Sequence, residues 1–415
     1  MSILFEPMKI GEMQLQNRFV RSATGELMAY ENGKISSDLI KMYQTLSKGE
    51  IGLIITGFMY IHPSGKCVNN QIGIDNNEMI PGLQKLSDAV HQWGSKIAFQ
   101  LVHSGLQTKK EIVGFKPKGP SGGIRNPITF SKSKQMTEED INTAIRAFSE
   151  AAWRAAEAGA DAVQLHCAHG YLINQFLSPF FNRRSDEWGG SEENRFRFLK
   201  EVFIETRKVI SKDKPILVKL STCDYTKKEG VTPLLAKNYA QRLVALGVDA
   251  VEVSAGGTYF AYMNMCRGKV PIEGLLRTVP KWQKPLAKIL LQKMDKSGKY
   301  DLQEGYNLEA ANIIKPVLKE YAVPLILVGG LRRLAHMEEI IMNDQADFIS
   351  LCRPFIRDPL LLKKFKEGNK NKSDCISCNQ CLSAAASEIP VRCYVKKLPS
   401  KAETEKKKEE IPLSI

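Results

Sequence analysis

Eight short runs of β-branched and aliphatic residues, separated by longer amphipathic stretches, constrain this sequence more than any other feature. The runs are Arg18 to Ser22, Ile51 to Thr56, Lys96 to Val102, Ala162 to His166, Ile216 to Ser221, Ala250 to Ser254, Pro324 to Val328 and Phe348 to Leu351. Between them lie stretches of helical periodicity, including Leu83 to Trp93, Glu138 to Ala158, Glu192 to Ile210, Pro233 to Leu246 and Leu308 to Tyr321. Buried strands each followed by a helical crossover predict a parallel sheet, and eight such units predict an α/β fold of the (β/α)8 TIM-barrel type. A weak internal repeat agrees: AGADAVQLH at 158–166 is echoed by LGVDAVEVS at 246–254, each a helix end, a glycine cap and a strand. A doubly wound open sheet is the alternative, but no G-x-G-x-x-G follows the first run.

The 415 residues exceed a plain barrel in two places. Residues 255–307 form a long excursion between the sixth and seventh strands, with a helical pattern at Trp282 to Met294, and are expected to form a lid or binding element. Residues 371–397 form a cysteine-rich extension after a barrel assigned to 1–370, and 398–415, rich in Lys and Glu, read as a disordered tail. The net charge is +14, with local density at Lys284 to Lys299 and Lys363 to Lys372. No aromatic residues interleave with it as a nucleic-acid stacking platform requires, so nucleic acid is not an expected partner. Solvated helix faces, or attraction of an anionic substrate or an acidic electron-transfer partner, explain it better. No apolar run approaches the roughly 20 residues that span a bilayer. No signal peptide is legible at the N-terminus, so a cytoplasmic location is expected.

Barrel chemistry gathers where strands end. The fourth strand runs into H-C-A-H-G-Y-L-I-N-Q-F-L-S-P-F-F-N-R-R-S-D-E-W-G-G-S-E-E-N-R, residues 166–195. His166, His169 and Tyr171 can point from one tight loop into one pocket. Imidazoles donate hydrogen bonds to a substrate oxygen and polarise it. A tyrosine, with a pKa near about 10, suits protonation of a carbon made basic by reduction. Structural or zinc-binding histidines are the plainer alternative.

The run at 166–195 closely resembles the old yellow enzyme family, including its dienoyl-CoA reductase and trimethylamine dehydrogenase branches, and the resemblance extends from about residue 4 to residue 393. It implies FMN as cofactor, His166 and His169 as ligands of the substrate's activating oxygen, and Tyr171 as proton donor. By the same resemblance N-R-F-V-R-S-A-T places Ser22, Ala23 and Thr24 against the flavin, with Gly25 where relatives often hold Cys or Thr. Gly57 would let the ring approach closely, and Gln100 would bond its pyrimidine edge. Lys219 would stabilise the reduced ring; a Schiff-base lysine is the lesser alternative. Gly329, Gly330 and Leu331 after the seventh strand, with Cys352 and Arg353 after the eighth, fit a phosphate cradle, although relatives usually carry Gly at the position of Cys352.

Nine cysteines are present, four of them in Cys375-x2-Cys378-x2-Cys381-x11-Cys393. In a cytoplasmic chain such crowding points to metal before disulfides. Three thiolates in a tight run with a distant fourth match [4Fe–4S] ligation, and zinc is the main rival. The placement resembles the cluster-binding branch of the same family.

These features together predict an FMN-dependent ene-reductase acting on an activated alkene, with electrons from NAD(P)H or from an outside partner, since a fused reductase module is not expected in a chain of this length. An oligomer is possible on this reading. Two alternatives stand beside it. One is an amine dehydrogenase or demethylase, with Tyr259, Phe260 and Tyr262 forming an aromatic bowl for a cation. The other is an electron-transfer subunit whose flavin only relays charge.

Overall fold

The computed structural model describes residues 2–124, 132–226, 228–257, 262–400 and 403. Eight parallel strands close on themselves: β1 (Phe19–Arg21), β2 (Leu53–Ile55), β3 (Lys96–Val102), β4 (Ala162–Cys167), β5 (Ile216–Ser221), β6 (Ala250–Ser254), β7 (Leu325–Val328) and β8 (Phe348–Leu351). Pairing of β8 with β1, and of β2 with β3, completes the ring. The helices α1 (Ser37–Lys48), α2 (Ile80–His91), α3 (Glu138–Glu157), α4 (Glu192–Val209), α5 (Pro233–Ala245), α6 (Leu308–Glu320), α7 (Leu334–Met342) and α8 (Leu361–Lys366) follow the strands in turn. The predicted barrel and its strand positions are therefore present, each to within a residue or two.

Short strands of this kind carry few ladder bonds, and the repeat in the sequence shows how they are pinned. Asp161, Asp249 and Asp347 stand just ahead of β4, β6 and β8. Each accepts a hydrogen bond from the first part of the preceding strand: Ile97 N at 2.9 Å, Ile216 N at 2.7 Å and Leu325 N at 2.6 Å. Each carboxylate also meets a cation, Lys96, Arg207 or Lys315 respectively. The lower end of the barrel is plugged by an antiparallel hairpin, Met8–Ile10 with Met13–Leu15, whose Ile10, Met13 and Leu15 pack beneath inward residues such as Leu53, Ala98, Leu217 and Phe348. Only the upper mouth is left for a site.

The excursion after β6 contains helices at Tyr262–Met265, Ile272–Leu275 and Lys284–Lys296. Its hydrogen bonds run to the cysteine segment: Lys269 N donates to Ser377 O at 3.0 Å, and Asn379 Nδ2 donates to the carbonyls of Cys266 and Lys269. The described part thus packs on the extension, while Gly257 at its start bridges His169 of the loop after β4. Tyr259 and Phe260, and the side chain of Tyr262, lie outside the described residues, as does most of the tail. Among the described residues no helix is long and apolar enough to cross a membrane.

Candidate active site and cysteine-lined cavity

Side chains from six of the eight strand positions meet inside the upper barrel. Lys219 of β5 forms an ion pair with Glu252 of β6 at 3.0 Å, and its ammonium also donates to Ser22 Oγ, just past β1, at 2.8 Å. Glu252 additionally accepts from Ser22, from Ser350 of β8 and from Gln164 of β4 at 2.8 to 2.9 Å. Gln164 in turn accepts from Gln100 of β3 at 2.7 Å. Burial alone would raise the Glu252 carboxyl, yet Lys219 and these donors hold it below its ordinary value. Gln164 and Glu252 occupy matching positions of the internal repeat and touch each other. Sequence reading passed over both, although a polar residue in an apolar strand run is the signal that marks them.

Gln100 Oε1 is buried without a partner. A bare amide oxygen in a barrel needs a donor, and the N–H of a flavin's pyrimidine edge can be that donor. Lys219 uses two of its three N–H groups on Ser22 and Glu252, which leaves one for the ring. Ala23 and Thr24 continue from Ser22 over the mouth, and Thr24 Oγ1 lies 3.0 Å from Cys352 Sγ, linking the ends of β1 and β8. Gly57 differs from expectation. A Cβ there would lie 2.0 Å from Glu26 Oε2, and its N–H meets Glu26 Oε1 and the Tyr43 hydroxyl. Its lack of a side chain accommodates the buried Arg21–Glu26 pair before any ring.

The fourth strand's loop carries the expected trio. His166 ends inside β4, His169 takes a left-handed φ of 63°, and Tyr171 caps the short helix Leu172–Leu177. Ring centroids lie 4.8 Å apart for His166 and Tyr171 and 5.1 Å for the two histidines. His169 Nε2 is held by Ser254 Oγ at 2.8 Å, whereas His166 Nδ1 is buried and unpartnered. The loop is fixed from below: Asn174 Oδ1 accepts from Gly170 N, and Gln175 Nε2 donates to Gly170 O. Burial holds His166 well below the usual imidazole range, and burial with the Lys219 charge brings His169 down to about 3. Burial, and then the neighbouring Cys67, raise Tyr171 well above an ordinary phenol. Both imidazoles are therefore neutral near pH 7 and the phenol is protonated.

The loops after β7 and β8 come together as expected. Gly330 has φ +71°, and a Cβ on it would lie 2.8 Å from Leu302. The Leu331 side chain is fully buried, so only its backbone can face a ligand. Glu304 already takes the N–H groups of Arg332 and Arg333, at 2.9 and 3.1 Å. The donors just beyond Leu331 in this loop are thus already engaged.

All four cysteines of the extension, Cys375, Cys378, Cys381 and Cys393, line one small cavity together with Arg353, Arg357 and Asp374. No three His, Cys, Asp or Glu side chains among the described residues converge closely enough to grip a single ion. Arginines reach in from the barrel: Arg332 donates to Cys375 O and Ser377 Oγ, and Arg353 to Asn379 Oδ1 at 2.6 Å. Arg357 approaches Cys393 Sγ at 3.7 Å. Arg332, just after the Gly329–Leu331 turn, and Arg353, at the β8 turn, thus tie the barrel mouth to the cysteine segment.

Residues 3–265 match the model of the NADH:flavin oxidoreductase / NADH oxidase family. The sequence is 36% identical over 360 residues to the NADPH dehydrogenase of Clostridium acetobutylicum, covering 86% of this chain and 92% of that protein. It is 33% identical over 399 residues to the NADH oxidase of Thermoanaerobacter brockii, covering 94% of this chain and 55% of that protein. The chain therefore spans about half the length of this longer relative. A solved 2-naphthoyl-CoA reductase in complex with 2-naphthoyl-CoA superposes with a TM-score of 0.81 at 26% identity, over 95% of this chain and 57% of that one.

Proposed function

The chain belongs to the NADH:flavin oxidoreductase / NADH oxidase family, whose members are FMN-dependent oxidoreductases, and from that premise we propose that it reduces the activated C=C bond of an α,β-unsaturated carbonyl, enoate or enoyl-CoA substrate. The observation that carries this reading is the meeting of a protonated Tyr171 with the unpartnered, neutral His166 and its neighbour His169 in one buried pocket beside Lys219. The likeness to a reductase holding an aryl-CoA thioester supports a conjugated acyl substrate.

Bound FMN would supply the hydride and take its electrons from NAD(P)H or from a carrier. Ser22, Ala23, Thr24, Gln100 and Lys219 would hold its ring, and Gly329, Gly330, Leu331, Cys352 and Arg353 its phosphate. Lys219 places a positive charge where the reduced ring becomes negative, and Glu252 keeps that ammonium in position. His166 offers Nδ1 to the substrate oxygen, with His169 steadied beside it by Ser254. Tyr171 gives its proton to the α-carbon, because burial keeps the proton on its hydroxyl until a stronger base forms.

The four thiols line one cavity and are spaced in the chain as the ligands of a polynuclear iron–sulfur centre are, with tetrahedral zinc the rival. A [4Fe–4S] cluster there would supply one-electron transfer. Arg353 and Arg357 face the thiols and balance the negative charge of thiolate ligands.

The test is anaerobic purification followed by a visible spectrum, iron and sulfide assays, and turnover. Flavin bands, stoichiometric iron and sulfide, and faster turnover of enones or enoyl thioesters than of methylated amines are expected. Zinc in place of iron overturns the cluster. Turnover of amines alone overturns alkene reduction in favour of amine oxidation. Exchange of electrons with a carrier but with no substrate points to a relay subunit.

A further inference from the structure

The helix Lys284–Lys296 has no buried residue. Its inner side, through Ala287, Leu291 and Met294, is only half covered, and its outer side exposes Leu286 by 65%, Ile289 by 62% and Leu290 by 58%. Trp282, on the turn that leads into it, is 80% exposed. Other exposed large apolar side chains among the described residues are spread along the chain, whereas these four fall within nine residues. A clustered apolar face of this kind marks an interaction site, and an exposed tryptophan is a common anchor in one.

Charge decides what covers it. From Lys281 to Lys299 the sequence holds six lysines and one acid, Asp295, whose Oδ1 is engaged by Val270 N at 2.9 Å. On a helical wheel Lys293 falls between Leu286 and Ile289, inside the apolar face rather than opposite it. A helix that enters a lipid surface segregates the two kinds of residue. A second copy docked about a two-fold axis would set these lysines against each other. An acidic protein with a mixed apolar and charged patch fits both features.

Position decides what that protein carries. The lysine helix rests on the Ile272–Leu275 turn, which packs on Gln380–Ala386, the helix that contains Cys381. The contact is close: a Cβ on Gly274 would lie 2.2 Å from Ser383 Oγ. Two short elements separate the exposed face from the cysteine-lined cavity.

We infer that Trp282 and the outer face of Lys284–Lys296 form the docking surface for a small acidic one-electron carrier that reduces the cysteine-bound centre. Each encounter moves one electron, oxidising the carrier and reducing the centre, with no bond made or broken. Two encounters and two protons balance the reduction of one alkene. The inference rests on the reading of the four cysteines as an iron–sulfur site.

The test uses the holoprotein with flavin and cluster, mixed anaerobically with a reduced acidic [2Fe–2S] ferredoxin as probe, and separately with dithionite. The wild type is expected to be reduced by ferredoxin at a rate that falls steeply with salt. The double variant Leu286→Glu with Ile289→Glu should lose at least about tenfold of that rate and keep its dithionite rate and visible spectrum. Equal ferredoxin rates in both proteins overturn the docking surface while leaving the cluster intact. So does a wild type that dithionite reduces and ferredoxin does not. Binding of the wild type but not the variant to phosphatidylserine vesicles assigns the face to a membrane. A dimer broken by the variant assigns it to self-association. A protein without iron removes the docking inference and the cluster together.

Discussion

Lys219 and Arg332 are both buried cations, one inside the barrel and one beneath the cysteine segment, and they are satisfied in different ways. Lys219 faces a carboxylate, Glu252, within a network of serines and glutamines from neighbouring strands. Among the described residues no carboxylate hydrogen-bonds the Arg332 guanidinium, although the Glu304 charge acts on it. Its N–H groups reach the carbonyls of Leu331 and Cys375 and the Ser377 hydroxyl. Burial lowers its pKa, and the Cys375 thiol is the leading influence in the opposite sense. Arg353 and Arg357 likewise meet carbonyl, amide or sulfur partners. The barrel cation is therefore matched by a carboxylate, whereas the arginines beside the cysteines meet mainly neutral or sulfur partners, with Asp374 the one acid among the described residues lining the cavity.

The largest effect is expected at the chemical end of the barrel. Tyr171→Phe should slow product formation from an enone by about 10²- to 10⁴-fold while flavin reduction by NAD(P)H changes little, seen by separating the two half-reactions in stopped flow. Unchanged turnover would remove Tyr171 as the acid. The charge contrast itself is tested by Glu252→Gln, which leaves Lys219 unpaired in the barrel. Urea unfolding should show a loss of about 3–5 kcal/mol. A much smaller loss would mean that Lys219 is not dependent on its partner.

Acid should weaken the barrel end first. Burial holds His166 well below its ordinary value, and brings His103 and His169 down to about 3. In the unfolded chain these histidines take up protons near about pH 6.5, so their share of stability is full above that pH and is lost as pH falls toward 3. At pH 5 His103 and His169 each cost about 2 kcal/mol, and His103→Gln should flatten the slope of stability against pH between 7 and 5. The smallest effect belongs to the cavity. Ser377→Ala removes one hydrogen bond from Arg332 and should cost about 1.5 kcal/mol, with faster iron loss to a chelator as the sharper readout.

The strand runs were readable because each is a compact apolar stretch, and barrel closure needs little else. The loop from His166 to Tyr171 was readable because its functional residues are neighbours in the chain. The Gly57 expectation shows the opposite case. Its glycine was attributed to a ring, but Glu26, far from it in sequence, fills the space a side chain would need. That the described part of the excursion packs on the extension was not readable, because Asn379 and Ser377, which hold its backbone, lie about a hundred residues further along the chain.

By itself the sequence determined the barrel and the order of its strands, and brought four cysteines close together along the chain, since all of these are local patterns of polarity and spacing. Tertiary structure alone decided that Glu252 would neutralise Lys219, that arginines from two barrel loops would peg the cysteine segment, and that the lysine helix would keep its apolar side outward. Each of these joins residues distant in the chain, and their meeting depends on barrel closure, which brings strand ends together whatever their separation in sequence.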